Sequence, residues 1–265
     1  MVRFFMSVDV AGSTFFKSSF SGLGEVGWLK HFETFFSAFP IMLTGQVGLE
    51  FLDEATFPRL DIWKVMGDEI IFTCRPARAE EIALMLRALF GAMRRYEDEY
   101  FADLPLRLKG TAWIATFPNP NIEVRIPELL SDAGDGQVDY IGPDIDLGFR
   151  IGKFARPSAV VISVDLLDVL LRAANRAQID FFLIGREKLK GVLFDRPYPI
   201  VWTRPAGEPF AFMPWEVEDC ALTAAAAAAK PTAARKLAEA VDGMRSYLRK
   251  MHGIDRPKIR FPTAR

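Results

Sequence analysis

Residues Phe5–Lys17 read FMSVDVAGSTFFK, and residues Trp63–Phe72 read WKVMGDEIIF. Each is a short apolar run of strand character that delivers one aspartate, Asp9 in the first and Asp68 in the second. The small-residue turn Ala11-Gly12-Ser13-Thr14 follows the first run. Free backbone N–H groups where such a turn enters a helix favour anions. Two carboxylates beside that turn suit a divalent cation and a polyphosphate. Taken singly, Asp9 would read as a helix cap and Asp68 as a turn residue. If their strands are neighbours, ~4.8 Å apart, the two carboxylates converge, and a bound cation removes their repulsion.

A third segment, DYIGPDIDLGFRIGKFA from Asp139, adds to this. Asp146 and Arg150 are four apart on a predicted helix and share one face. They read either as a surface ion pair worth ~0.2–0.5 kcal/mol or as a site in which Arg150 is a planar donor fork for a phosphoryl group. Lys64 lies in a strand between Trp63 and Val65. It is either a solvent-facing lysine or a donor to a nucleobase acceptor. Lys190, in KLKG, is likewise a hairpin lysine or a triphosphate contact. Glu69 follows Asp68 and is expected to face away from the site, because strand residues alternate faces. The same parity puts Arg3, Phe5, Ser7 and Asp9 on one face of the first strand.

Outward from these segments, Arg3 to Val10 reads as a buried strand. Trp28, Leu29, Phe32, Phe35, Phe36 and Phe39 recur at helical spacing, which predicts a helix over Val26 to Phe39 that Pro40 stops. Leu60 to Met66 and Glu69 to Cys74 read as strands joined at Gly67-Asp68. A helix after Pro76 carries Ile82, Leu86, Leu89, Phe90 and Met93 on one stripe. Leu106 to Phe117 and Ile122 to Ile126 are strands, and Leu130 to Gln137 is a Gly/Asp-rich loop. A helix runs from near Asp144 to before Pro157. Strand Ala159 to Ser163 and helix Val164 to Ala177 follow, then strands Phe181 to Gly185 and Tyr198 to Thr203. Strands, hairpins and helices interleaved in this way indicate an α+β fold, with helices packed on a mainly antiparallel sheet.

Composition changes near Pro205, dividing the chain into a domain over 1–205 and a linker with a basic helical extension over 206–265. Thr223–Pro231 is alanine-rich and of low complexity. Leu237, Val241, Met244, Leu248 and Met251 then form a two-heptad apolar stripe. From Lys230 onward the chain carries ten basic and three acidic side chains. That helix either packs on its own domain or binds a dimer mate or partner.

The bulk numbers exclude several classes. The 265 residues are 50% hydrophobic, enough for one large core or a domain with an appendage. A formal net charge of −1 gives no global field for nucleic acid. Two cysteines, Cys74 and Cys220, build neither a disulfide framework nor a zinc cluster, which fits a reducing compartment. Two histidines, His31 and His252, make a Ser-His-Asp mechanism a poor reading. No signal h-region and no membrane-length apolar run is present. The expectation is a cytoplasmic protein with no membrane span and no nucleic-acid partner.

The three segments, in this order, resemble the catalytic domain of class III nucleotidyl cyclases, over roughly Arg3 to Thr203. The resemblance implies a ferredoxin-like core that forms a head-to-tail homodimer with sites at the interface. It implies that Asp9 and Asp68, helped by the Val10 carbonyl, hold two Mg²⁺ or Mn²⁺ ions per site. It implies phosphate binding by Gly12, Ser13 and Thr14. From the opposite subunit it implies base reading by Lys64 and Asp139, transition-state stabilisation by Arg150, and outer-phosphate binding by Lys190. One ion would acidify the ribose 3′-hydroxyl for attack on the α-phosphorus, and pyrophosphate would leave.

Two features depart from the family pattern. Asp146 stands where the family usually has asparagine, and an anion there opposes phosphate unless it pairs with Arg150 or a cation. The Asp9–Asp68 spacing is long, which marks Thr44 to Leu60 as a candidate insertion. Ser7 stands where many cyclases place an aromatic against the base, and Arg3 is a candidate extra donor. Lysine with aspartate suits adenine but equally uracil. The whole chain is similar to the stand-alone bacterial pyrimidine cyclases of antiphage (Pycsar) defence. That similarity implies cyclic UMP or CMP made from UTP or CTP, and an indirect link to an effector that senses cyclic nucleotide. The alternatives are an adenylate cyclase of ordinary signalling and a degenerate domain that only binds nucleotide or a partner.

Overall fold

The computed structural model describes residues 1–19, 27–126 and 137–261. The expected helix start at Val26 and most of the expected loop, residues 130–136, lie outside them. In chain order the elements are β1 (Val2–Ala11), α1 (Ser13–Ser19), α2 (Leu29–Glu50), β2 (Asp61–Met66), β3 (Glu69–Cys74) and α3 (Ala79–Tyr96). Next come β4 (Arg107–Thr116), β5 (Ile122–Ile126), β6 (Gln137–Ile141), α4 (Pro143–Gly152), β7 (Val160–Ile162) and α5 (Val164–Arg172). The chain continues through β8 (Ile179–Glu187), β9 (Tyr198–Pro205), α6 (Pro214–Glu218), α7 (Ala221–Ala227) and α8 (Ala234–His252).

Seven strands form one sheet in the order β2-β3-β1-β4-β7-β9-β8, antiparallel except for the β4–β7 pair. The portion β2-β3-β1-β4, with α2 and α3 as the crossovers, is the ferredoxin-like βαββαβ core anticipated from sequence. β5 and β6 make a separate two-stranded ribbon. The parity expected for β1 holds. Phe4, Met6, Val8 and Val10 point into the main core with α2 and α3, whereas Phe5 joins Trp63, Ile71, Trp113 and Tyr140 in a second cluster on the opposite face.

Pro40 does not stop α2, which runs on to Glu50 with the proline inside it. An interior proline costs ~3 kcal/mol. The stripe Phe32, Phe35, Phe39, Leu43 and Val47 is wholly buried on both sides of it, at ~1.5–3 kcal/mol per side chain, so packing outweighs the lost bond. The first residues of the segment read as an insertion, Thr44 to Glu50, are the last turns of this helix. α5 ends at Arg172 rather than Ala177. There the Ala174 N–H donates to Glu80 Oε1 at 2.9 Å and Asn175 Nδ2 to the Glu80 carbonyl at 3.2 Å, so α3 replaces the next helical turn.

Four of the five apolar side chains of the C-terminal stripe, Leu237, Val241, Met244 and Leu248, are buried in the same core as the sheet, with α8 packed on α5. Met251 is 68% exposed and lies outside that contact. Of the two readings of α8, packing on its own chain is the one observed.

Candidate active site

β1 is flanked by β3 and β4, so Phe5, Ser7 and Asp9 of its second face each meet one neighbour on each side. Asp9 is paired with Glu69 of β3 and Lys109 of β4. Directly paired residues share a face. Glu69 therefore lies on the side of Asp9, against the expectation that it faces away. Alternation from Asp68 fails because Asp68 sits in the β2–β3 turn after Gly67, whose φ is +63°, and not in the strand. The β1–β3 ladder ends at Asp9–Glu69, while the β1–β4 ladder runs on to Ala11–Arg107.

Burial raises the Asp9 pKa; Lys109 pulls it back and the Asp68 charge raises it again. The two aspartates are therefore close enough to repel, as required of the pair. Each also has a lysine. Lys109 Nζ is 2.8 Å from Asp9 Oδ2, and Lys17 Nζ is 3.8 Å from Asp68 Oδ1. Burial also raises the Glu69 pKa, offset by a hydrogen bond from Ser7 and reinforced by Asp9. Among the described residues no group of three His, Cys, Asp or Glu side chains converges on a metal position. Two hard carboxylates that repel each other still fit Mg²⁺ or Mn²⁺, which are commonly held by one or two carboxylates with water and substrate phosphates completing the shell.

The turn after β1 has the shape its residues suggest. Gly12 has φ +85°, and a Cβ there would lie 2.8 Å from the Pro105 carbonyl oxygen, so only glycine fits. Ser13 is buried and Thr14 is exposed at the start of α1.

Lys64 and Asp139 meet directly. Lys64 Nζ donates to Asp139 Oδ2 at 2.8 Å, and Trp63 Nε1 donates to Oδ1 at 3.2 Å. Two consecutive strand residues reach one carboxylate because the β2–β3 register shifts between Ile62 and Lys64. Such a bulge re-aims side chains that would otherwise alternate. Asp139 comes from β6, a strand the sequence reading left unassigned. Lys64 pairs with Ile71, and Ile71 with Ser7, so Lys64 and buried Ser7 lie in one row two strands apart. Arg3, a candidate base donor, is committed elsewhere. Its Nε is 3.1 Å from Glu123 Oε1 and its guanidinium lies over the Tyr140 ring.

α4 is laid across the second face of the sheet at Gly148, where a Cβ would meet the Trp113 ring at 2.3 Å. This seating sends Asp146 and Arg150 to the same cavity, between α4, the loop after β8 and the C-terminal segment. Asp146 is exposed, and neither it nor Arg150 forms a side-chain hydrogen bond or ion pair among the described residues. Their proximity on one helix face therefore does not produce the expected pair. Lys190 is exposed in the β8–β9 loop, next to Gly191, which lines that cavity.

One chain thus holds three clusters: Asp9 with Asp68, Lys64 with Asp139, and Asp146 with Arg150. No hydrogen bond or ion pair among the described residues joins one to another. Ile62, Val65, Met66, Ile141 and Phe149 are exposed apolar side chains on the elements that carry Lys64, Asp139 and Arg150.

No family model matches the chain, and no curated protein matches it at a significant level. Solved structures do. The adenylyl cyclase CyaB from P. aeruginosa superposes with a TM-score of 0.54 at 12% identity, over 80% of this chain and 97% of that one. An adenylate cyclase from Trypanosoma brucei gives 0.52 at 14%, over 80% and 91%. The catalytic core of a rhodopsin-guanylyl cyclase with converted specificity, solved with ATPαS, gives 0.51 at 9%, over 77% and 95%. The chain has the catalytic-domain fold of class III adenylyl and guanylyl cyclases.

Proposed function

We propose that this protein is a metal-dependent nucleotidyl cyclase acting as a head-to-tail homodimer. The observation that carries the reading is the convergence of Asp9 and Asp68 at the end of β1 and the β2–β3 turn, on this fold. Asp9 and Asp68, with the Val10 carbonyl, hold the cation, and Gly12, Ser13 and Thr14 hold phosphate through the turn. Mg²⁺ or Mn²⁺ bound there supplies charge neutralisation and acidifies the attacking hydroxyl. The partner protomer brings Lys64 and Asp139 to the base, Arg150 to the α-phosphorus and Lys190 to the outer phosphates. The ribose 3′-oxygen bonds to the α-phosphorus, the bond to pyrophosphate breaks, and the 3′-proton passes to solvent. Separate clusters on one chain and exposed apolar side chains around two of them support a site completed by a second copy.

For the substrate the reading is UTP or CTP, giving a 3′,5′-cyclic pyrimidine monophosphate as a messenger in antiphage defence. A donor and an acceptor held 2.8 Å apart, Lys64 and Asp139, match the O4 and N3–H of uracil. The same pair matches N1 and the amino group of adenine, which keeps cyclic AMP as the second reading. The test is an assay of purified protein with Mn²⁺ and ATP, GTP, CTP and UTP in parallel, with products identified by mass. Cyclic UMP or CMP is the expected product. Cyclic AMP alone selects the second reading, and no product from a folded dimer rejects both.

A further inference from the structure

The cavity that Arg150 faces has a volume of about 750 Å³, within the ~300–1,000 Å³ of small-molecule sites. One wall is the segment that follows α8. Arg256 from that segment is clamped between two elements of the cyclase fold: its Nη2 donates to Asp144 in the first turn of α4 and, at 2.7 Å, to Asp165 Oδ2 of α5. Asn121 Nδ2 donates to the other oxygen of Asp144 at 2.7 Å. Arg245 of α8 sits 2.9 Å from Asp168 Oδ2, and Arg172 Nη2 donates to the Ile259 carbonyl at 3.0 Å. Ile259 and Phe261 pack against the main core. The segment is thus tied down at Arg256, Ile259 and Phe261, while the side chains of Lys258 and Arg260 have no such anchor among the described residues. Both line the cavity, and both are exposed.

The charge balance of the cavity follows. Asp144, Asp165 and Asp168 are together matched by Arg256, Arg245 and Arg172, and Asp255 by Arg249 at 2.6 Å. Arg150, Lys258 and Arg260 face it without an ion-pair partner among the described residues, and Asp146 is the unpaired anion among those named. The excess is cationic and brackets the position where Asp146 would oppose phosphate. We propose that the segment Gly253–Arg260 is a working part of the nucleotide site, with Lys258 and Arg260 binding the polyphosphate of the substrate and Arg256 positioning them. This rests on the cyclase reading for what the polyphosphate belongs to. It assigns binding residues to a region whose sequence gave only a basic tail.

The test uses the full chain with Lys258→Ala and Arg260→Ala together. Both side chains are exposed, so the melting temperature should stay within error of the parent. Binding of inorganic tripolyphosphate is measured by calorimetry, and KM and kcat for whichever nucleotide the parent cyclises. The expected result is at least fivefold weaker tripolyphosphate binding and a similar rise in KM, with kcat within twofold. Unchanged affinity and KM, or a parent chain that does not bind tripolyphosphate, overturns the proposal even if cyclase activity is present. Weakened tripolyphosphate binding in a chain that cyclises nothing leaves the tail site standing and removes the cyclase reading. Arg256→Lys keeps the charge but not the fork that bridges two carboxylates. It is expected to weaken tripolyphosphate binding at unchanged net charge. Parent-like binding in a folded Arg256→Lys chain would end its positioning role.

Discussion

Lys109 Nζ lies 2.8 Å from Asp9 Oδ2, across the β1–β4 ladder that pairs the two residues. The side chains are 29% and 30% exposed, so the pair is partly solvated and its strength moderate. The lysine therefore competes for the carboxylate on which cation binding is proposed to depend.

Replacing Lys109 by Met should then strengthen Mn²⁺ binding. Removal of an ion pair of this exposure, worth ~1 kcal/mol, corresponds to a gain of about fivefold. Titration followed by electron paramagnetic resonance checks it. Weaker binding in the variant would mean that Lys109 supports the site rather than competing for it.

Burial and like charge raise the pKa of Asp9 and burial that of Glu69 above their ordinary values of 3.8 and 4.5. The folded chain then holds these protons more tightly than the unfolded chain. The stability they contribute is full below the ordinary values and is lost as pH rises through the raised folded ones. Relative to the parent, Asp9→Asn with Glu69→Gln should gain stability as pH rises from the ordinary values through the raised ones. Melting temperatures across that range decide it, and a parent–variant difference that does not change with pH would count against it. Divalent cation binding should fall over the same interval as pH is lowered.

Two inactive chains should restore each other. Asp9→Ala removes a metal residue and Arg150→Ala a residue proposed to act from the opposite protomer. In an equal mixture half the dimers carry one intact site, so about a quarter of parental activity is expected if each site draws on both copies. No recovery after subunit exchange would place both residues in a site within one chain.

Gly148→Ala tests the seating of α4. The added Cβ would fall 2.3 Å from an atom of the Trp113 ring. Overpacking of this kind costs ~1–3 kcal/mol, and α4 should shift away from the sheet with Arg150. The expected outcome is a lower melting temperature and a larger loss of kcat than of nucleotide affinity. A stable, fully active variant would show that Arg150 does not depend on this contact.

The sequence by itself determined most of the strands, β6 excepted, because they are apolar runs bounded by turn residues. Phe4, Met6, Val8 and Val10 against Phe5, Ser7 and Asp9 already state which face of β1 is which, and GD between two apolar runs states the hairpin. It placed Asp9 near the end of β1 and Asp68 in the β2–β3 turn, and their meeting follows from the pairing of β1 with β3. Whatever depends on register, or on a partner distant in sequence, was decided only by the tertiary structure. Glu69 and Lys109 flank Asp9 through strand pairings that local alternation does not encode. Trp63 and Lys64 both reach Asp139 because a bulge interrupts that alternation. Pro40 stays inside α2 because apolar burial on both sides of it outweighs one missing hydrogen bond. Arg256 sits on Asp144 because two buried carboxylates more than a hundred positions and about ninety positions away need a cation, and no local pattern could announce that need.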